Sequence, residues 1–242
     1  MRLALIYTRV TTMELLRMPS FCIPTIAYPA LVFLLFGLPN AGGKANVLLA
    51  SYAAFAVLGV GFFQFGVGFA IERTTPWQRF LRALPATALP RIAGRLVTAT
   101  FFAASTTLGV VLVVLATTSA HLSATQWSKL AVALAAGGIP FVLLGVALAY
   151  WCSPKGALPL ANALYLVLAY AGGLWTGPAG IPTSIRVIST YTPTRQWADI
   201  LWSVVADKPW RTEHWLIFTG YAIAFALLAS WGFQRDEGQQ FR

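Results

Sequence analysis

Six apolar runs, at about residues 20–39, 46–71, 94–118, 128–150, 156–176 and 213–233, restrict what this chain can fold into more than any other feature. Each is long enough to cross roughly 30 Å of hydrocarbon, which takes about 20 mostly apolar residues in a helix. With 58% hydrophobic and 10% charged residues and a mean hydropathy of +0.70, the 242 residues leave no room for a separate soluble domain. The sequence therefore predicts an all-α integral membrane protein, a single transmembrane domain over 1–242 with six transmembrane helices.

The formal charge of +10 does not mark a nucleic-acid surface, because the basic residues form no stripe interleaved with aromatics. They sit in the connections and report topology instead. Six spans put both termini on one side, together with eleven of the seventeen basic residues, among them Arg73, Arg79, Arg82, Arg91 and Arg95. That side is predicted to be cytoplasmic, so the connection after the second span lies inside and the connection after the fifth lies outside. The first apolar run lacks a short core followed by an A-x-A site, so a removable signal peptide is not expected. Cys22 and Cys152 have no metal-like or redox spacing and read as packing residues.

Residues 1–19 read as an amphipathic helix on the inner membrane surface, ended by Pro19. Leu3, Ile6, Tyr7, Val10, Met13 and Leu16 lie near one face, and Arg2, Arg9 and Thr12 lie away from it. In the second span, helical spacing pairs Gly59 with Gly66 on one face and Gly61 with Gly68 on a roughly opposite one, which lets neighbouring backbones approach. Gln64 lies between these glycines, and Asn162 and Tyr165 lie in the fifth span. Intramembrane polar groups of this kind either line a path or make interhelical hydrogen bonds, and the sequence leaves both open.

Two longer connections remain. In the first, 72–93, Thr75 is placed as an N-cap, Pro76 as the first helical residue and Gln78 as the third position of a capping box. Trp77, Phe80, Leu81 and Leu84 follow the i, i+3, i+4, i+7 pattern, Arg79 and Arg82 face away, and Pro85 ends the run. Five arginines at about 2.5–3.5 kcal/mol each at a bilayer centre keep this helix out of the hydrocarbon, so its apolar face must be covered by headgroups, by the spans or by another protein. In the second, 177–212, Pro182 and Pro193 each sit where a helix can begin, and Trp197, Ile200, Leu201 and Val204 form a stripe too short to span. A pair of short helices dipping into the outer leaflet is expected, acting as a gate or as a cap on the bundle.

Catalytic patterns are missing: there is no H-x-x-x-H, no G-x-S-x-G and no acidic cluster. The stretch "GLPNAGGKA", Gly37 to Ala45, is one residue too long for a phosphate-binding loop and has Ala45 in place of the hydroxyl residue. Nucleotide energy would have to come from a separate subunit. Proton-driven transport has no intramembrane Asp, Glu or His to use. Glu72, at the end of the second span, reads as a salt-bridge partner for a nearby arginine.

Taken together, the N-terminal helix, the six spans, "IERTTPWQRFLRALPATALPRIAGRL" after the second span and "IPTSIRVISTYTPTRQW" after the fifth resemble the ABC type-2 exporter permeases. Glu72, Arg73, Leu81 to Leu84, Pro85 and Arg95 fit the family's pattern after the second span, with Thr75-Pro76 where that family has Gly-Thr. Pro182, Ile185, Ile188, Thr192 and Pro193 fit its outer segment. The resemblance implies the permease subunit of an ATP-driven exporter in a bacterial inner membrane. It implies a coupling segment (Glu72, Arg73, Trp77, Phe80, Leu81, Leu84) docked on a cytoplasmic ABC ATPase, which binds the ATP and magnesium while this chain binds no cofactor. It also implies a second permease copy, with second and fifth spans near the dimer interface. The residues themselves offer Gln64, Asn162 and Tyr165 as candidates for a substrate path, and Pro182, Pro193 and Trp197 as candidates for an outer gate. Membrane lipid is a partner and nucleic acid is not. The alternatives are a membrane scaffold that recruits a cytoplasmic partner without transport and a lipid-modifying membrane enzyme, the latter disfavoured by the missing catalytic set.

The topology is tested with single cysteines at Arg82 and Asp207 in a chain lacking Cys22 and Cys152. The first is expected to label from the inside and the second from the outside; the reverse pattern would exchange the two connections.

Overall fold

A computed structural model of the chain describes residues 2–76 and 89–240. Trp77, Gln78, Arg79, Phe80, Leu81, Arg82, Leu84 and Pro85, on which the amphipathic helix of the first long connection was predicted, lie outside the described residues. The described elements are all helical: α1 (Arg2–Leu16), α2 (Pro19–Val32), α3 (Ala45–Val60), α4 (Phe69–Glu72), α5 (Leu89–Thr117), α6 (Ala124–Trp151), α7 (Pro154–Ala171), α8 (Thr183–Thr190), α9 (Pro193–Val205) and α10 (Thr212–Gln240). Pro19 ends α1 and occupies the first turn of α2, where its missing N–H costs nothing.

Five helical stretches are long and apolar enough to cross a membrane: Pro19–Asn40, Ala45–Glu72, Ala93–Thr117, Ala124–Trp151 and Thr212–Asp236. The sixth apolar run, expected to span over 156–176, forms α7 instead. This helix has 18 residues, about 27 Å at 1.5 Å per residue, and its apolar character is diluted by Lys155, Pro159 and Asn162. Both of its ends are tied to other elements. It starts beside the Cys152 carbonyl, which accepts from Arg73 Nη2 at 2.9 Å, and its last turn accepts from Thr194 Oγ1 at the Leu168 carbonyl (2.6 Å) and from Ser189 Oγ at the Ala171 carbonyl (2.5 Å).

The second span is the centre of the bundle. Of its apolar window 67% is buried, against 17% for Thr212–Asp236, and it packs on α5, α6, α7 and α9. Its middle, Gly61–Gly68, is π-helical, a wide turn with i→i+5 hydrogen bonds. This changes the glycine faces expected from α-helical spacing. Five residues apart, Gly61 and Gly66 share the face toward α6: a Cβ on Gly61 would come within 2.9 Å of the Phe141 carbonyl oxygen, and one on Gly66 within 3.6 Å of the Gly145 Cα. Gly59 instead faces Tyr165, and Gly68 faces Arg95. The first span also widens to a π turn at Phe33–Gly37, beyond Pro24 and Pro29.

The helix α9, expected on the outer side, is part of the core. Thr192 caps it, Pro193 starts it, and Trp197, Ile200, Leu201 and Val204 are all buried. Trp197 lies in a notch at Gly137 of α6, where any Cβ would overlap the indole, and its Nε1 donates to the Ala133 carbonyl at 3.0 Å. Around it, Trp202 Nε1 donates to Ser51 Oγ (2.8 Å), Gln126 of the α6 capping box reaches the Val204 and Val205 carbonyls, and Asn46 and His121 exchange two bonds of 2.9 and 2.8 Å. Helix α8 is amphipathic and keeps Val187, Ile188 and Tyr191 exposed.

The notch at Gly137 gives a direct test. Gly137→Ala forces Trp197 out of its seat and is expected to cost on the order of 1–3 kcal/mol. Gly42→Ala, with nothing within 4 Å of the new methyl, is expected to be near neutral. Thermal unfolding of the two variants in one detergent checks the difference.

Candidate functional site

At the end of the bundle that carries the 72–95 connection, four elements are joined by charge. Arg73 Nη1 and Asp236 Oδ1 of α10 lie 2.5 Å apart, with side chains 13% and 16% exposed, and the Arg73 guanidinium also sits 5.9 Å from the Tyr150 ring centroid. Arg73 thereby connects the end of the second span, the α6–α7 junction and the last span. Burial pushes the Cys152 thiol up, with the Arg73 charge pulling against it. Arg95 Nη1 and Glu72 Oε2 form a second pair at 2.5 Å. The same guanidinium lies over Phe69 at 4.9 Å and Phe65 at 5.8 Å, and its Nη2 donates to the Gln64 carbonyl at 2.8 Å.

Glu72 and Arg73 are thus engaged within the chain, through side chains the sequence assigned to coupling. Glu72 has the nearby arginine that its position suggested. Asp236 was missed, since nothing in its own stretch sets it apart from an ordinary C-terminal charge. Arg95 was read for topology and as part of a motif, and its bond to the Gln64 carbonyl was not anticipated.

Deeper in the bundle, a cavity of about 240 Å³ opens between the first span, the second span and α7. It brings together Gln64, Asn162 and Tyr165, the three polar residues picked from the sequence. Tyr165 is a wall. Its ring stacks on Phe55 at 4.5 Å, and its hydroxyl donates to the Phe55 carbonyl at 3.1 Å through space that Gly59 leaves open. Asn162, one turn earlier, stands exposed at the rim. Gln64 comes from the π-helical segment; its Nε2 is shut off from solvent and has no hydrogen-bond partner. Phe21, Pro24, Thr25, Tyr28 and Pro29 of α2 complete one side, and Thr106 of α5 closes the back with its hydroxyl tied to the Phe102 carbonyl. None of the described residues that line the cavity is charged.

Pro182, Pro193 and Trp197 are not at this cavity. Pro182 precedes α8, Pro193 opens α9, and Trp197 is held in the notch at Gly137, halfway along α6, and none of the three lines the cavity. Among the described residues no three His, Cys, Asp or Glu side chains gather as a metal site.

Fold and site define a multi-span helical membrane protein with an uncharged intramembrane cavity above an ion-paired end. The chain is similar to a Bacillus subtilis (strain 168) protein named "Putative transport permease YvfS", with 22% identity over 189 residues that cover 78% of this chain and 77% of that protein. This is a distant homology to a transport permease. No protein-family profile matches the chain, and no solved structure does.

The Arg73–Asp236 pair can be tested by exchange. Arg73→Ala removes the guanidinium from a carboxylate that is only 16% exposed and is expected to destabilise measurably, by about 1–3 kcal/mol. The Arg73→Asp, Asp236→Arg double variant is expected to regain a large part of that loss, read as the unfolding midpoint in detergent.

Proposed function

We propose that this chain is the permease subunit of an ATP-driven ABC exporter of the bacterial inner membrane. Two copies build the translocation path and a separate cytoplasmic ATPase supplies ATP and magnesium chemistry. On this reading α7 is the sixth crossing, the termini and the 72–95 connection are cytoplasmic, and the cavity at Gln64, Asn162 and Tyr165 is one copy's share of the path. The second copy faces the open side of that cavity, near the second and fifth spans. The Bacillus permease similarity over most of both chains supports transport.

One observation carries the coupling. Both flanks of the 72–95 connection are tied to span ends, Glu72 to Arg95 and Arg73 to Asp236, and Arg95 reaches directly to the Gln64 carbonyl. A displacement of the connection by an ATPase is therefore transmitted to the π-helical segment that carries Gln64. In the mechanism Arg95 acts as the positioning residue, Glu72 orients its guanidinium, and Trp77, Phe80, Leu81 and Leu84 supply the apolar face that the ATPase groove covers. The helix α9, with Pro182 and Pro193 starting the outer hairpin and Trp197 seated at Gly137, forms the outer gate that keeps the path closed at the far end.

The experiment replaces Phe80 and Leu81 with Ser in the full transporter. Loss of two large apolar anchors from an interface amounts to several kcal/mol, so ATPase capture is expected to fall at least ten-fold, or substrate-stimulated hydrolysis in vesicles to disappear, while the spans still insert. Capture and stimulation both unchanged would remove the exporter reading and favour the scaffold.

A further inference from the structure

The proposed path cavity has a chemistry that narrows what it can hold, and this inference rests on the permease reading. Its walls are aromatic and aliphatic: Phe21, Tyr28, Phe63 and Tyr165 with Ala56 and Val60. None of its described lining residues is charged, and Arg95, whose guanidinium reaches the Gln64 carbonyl, is paired with Glu72. A charged guest would give up its hydration here and meet no counter-charge, which is the costly case for a low-dielectric site. Neutral amide and hydroxyl groups are what the cavity offers instead.

Among these, Gln64 is distinctive. Its Nε2 is closed off from solvent and lacks an acceptor, and a buried donor in this state costs free energy until one arrives. The Tyr165 and Thr106 hydroxyls donate to backbone carbonyls, and neither accepts from Gln64 Nε2, which has no partner. The cavity therefore has an unmet demand for a neutral acceptor beside a set of aromatic faces. Its volume, about 240 Å³, lies below that of enclosed drug-sized pockets, and its rim at Tyr28 and Asn162 is exposed on the flank of the bundle. It accommodates a small ring system whose remainder extends sideways into lipid or toward the facing copy.

We propose that the cavity binds uncharged aromatic carbonyl compounds drawn laterally from the membrane, with Gln64 Nε2 donating to the ligand carbonyl and selecting against carboxylates and other anions.

The full-length chain in lipid nanodiscs, without ATPase or ATP, is irradiated with an alkyne-bearing benzophenone and, separately, with the same molecule carrying a carboxylate. Crosslinks are mapped by mass spectrometry. The neutral ketone is expected to label peptides containing Tyr28, Phe63 and Tyr165, saturably and in competition with untagged benzophenone, and the carboxylate at least ten-fold less. Gln64→Leu is expected to lower saturable labelling about five- to ten-fold, the worth of one hydrogen bond. Asn162→Trp, at an exposed rim position, is expected to block it. Equal labelling by the carboxylate, or labelling that survives both substitutions, overturns the proposal. Because the assay uses no ATPase, its failure leaves the exporter reading to the capture experiment. Labelling in a chain that captures no ATPase would keep the ligand class and remove the exporter.

Discussion

The structure depends on one contact between backbones. Gly145 of α6 lies so close to the π-helical segment of the second span that a Cβ there would overlap the Gly61 carbonyl oxygen and come within 3.1 Å of the Gly66 nitrogen. Between apolar helices in lipid there is little hydrophobic driving force, and close van der Waals approach over small residues supplies the association instead. The wide turn brings two glycines five residues apart onto one face, which an α-helix would not do. It also displaces the following residues, so that the Gln64 carbonyl takes a bond from Arg95 and its amide is left at the cavity. Gly145, the cavity and the Arg95–Glu72 pair are thus consequences of one local geometry.

The two ion pairs contribute in different ways. Arg73 and Asp236 are both largely buried, and removing either leaves a charge that the interface region tolerates poorly. Glu72 is 46% exposed, so its pair with Arg95 adds little stability by Coulomb attraction alone. Its contribution is orientation: it aims a guanidinium that simultaneously stacks on Phe69 and reaches the Gln64 carbonyl. The first pair fixes where the connection begins, and the second links what happens there to the middle of the bundle.

How much of this was legible follows from the range of each signal. Apolar run length marked five spans, because crossing a bilayer is a demand on composition that a single segment meets alone. Pro193 marked a helix start and Pro19 the end of the N-terminal helix for an equally local reason, the missing N–H. Gln64, Asn162 and Tyr165 stood out as polar groups in apolar runs, and the cavity gathers all three. The sequence also offered two roles for these residues and the structure divides them: Tyr165 makes an interhelical hydrogen bond to Phe55, while Gln64 makes none with its amide nitrogen. What failed depended on tertiary partners. The glycine faces were misassigned because 3.6-residue spacing was assumed through a segment whose turns are wider, and the π geometry is fixed by the fit to α6. Asp236 was overlooked because its partner lies 163 residues away.

The two ends of the bundle are held by different forces, and this bears on which of them can move. Around α9 Trp197 fills a notch cut to its shape, Trp202, Gln126 and Gln196 each donate to a neighbouring element, and Gln196 also accepts from His214 Nδ1 at 2.7 Å. Packed apolar surfaces and directed neutral hydrogen bonds have steep distance dependence, so this end gives way only by repacking as a unit. At the other end the Arg95–Glu72 pair is partly exposed, and a guanidinium can slide along an aromatic face or a carboxylate with a shallower energy cost. On the proposed reading this is the arrangement coupling requires. Small displacements from an ATPase enter where the restraints are soft, pass through Arg95 to the wide turn at Gln64, and reach the rigid outer end only when the cavity itself has changed shape.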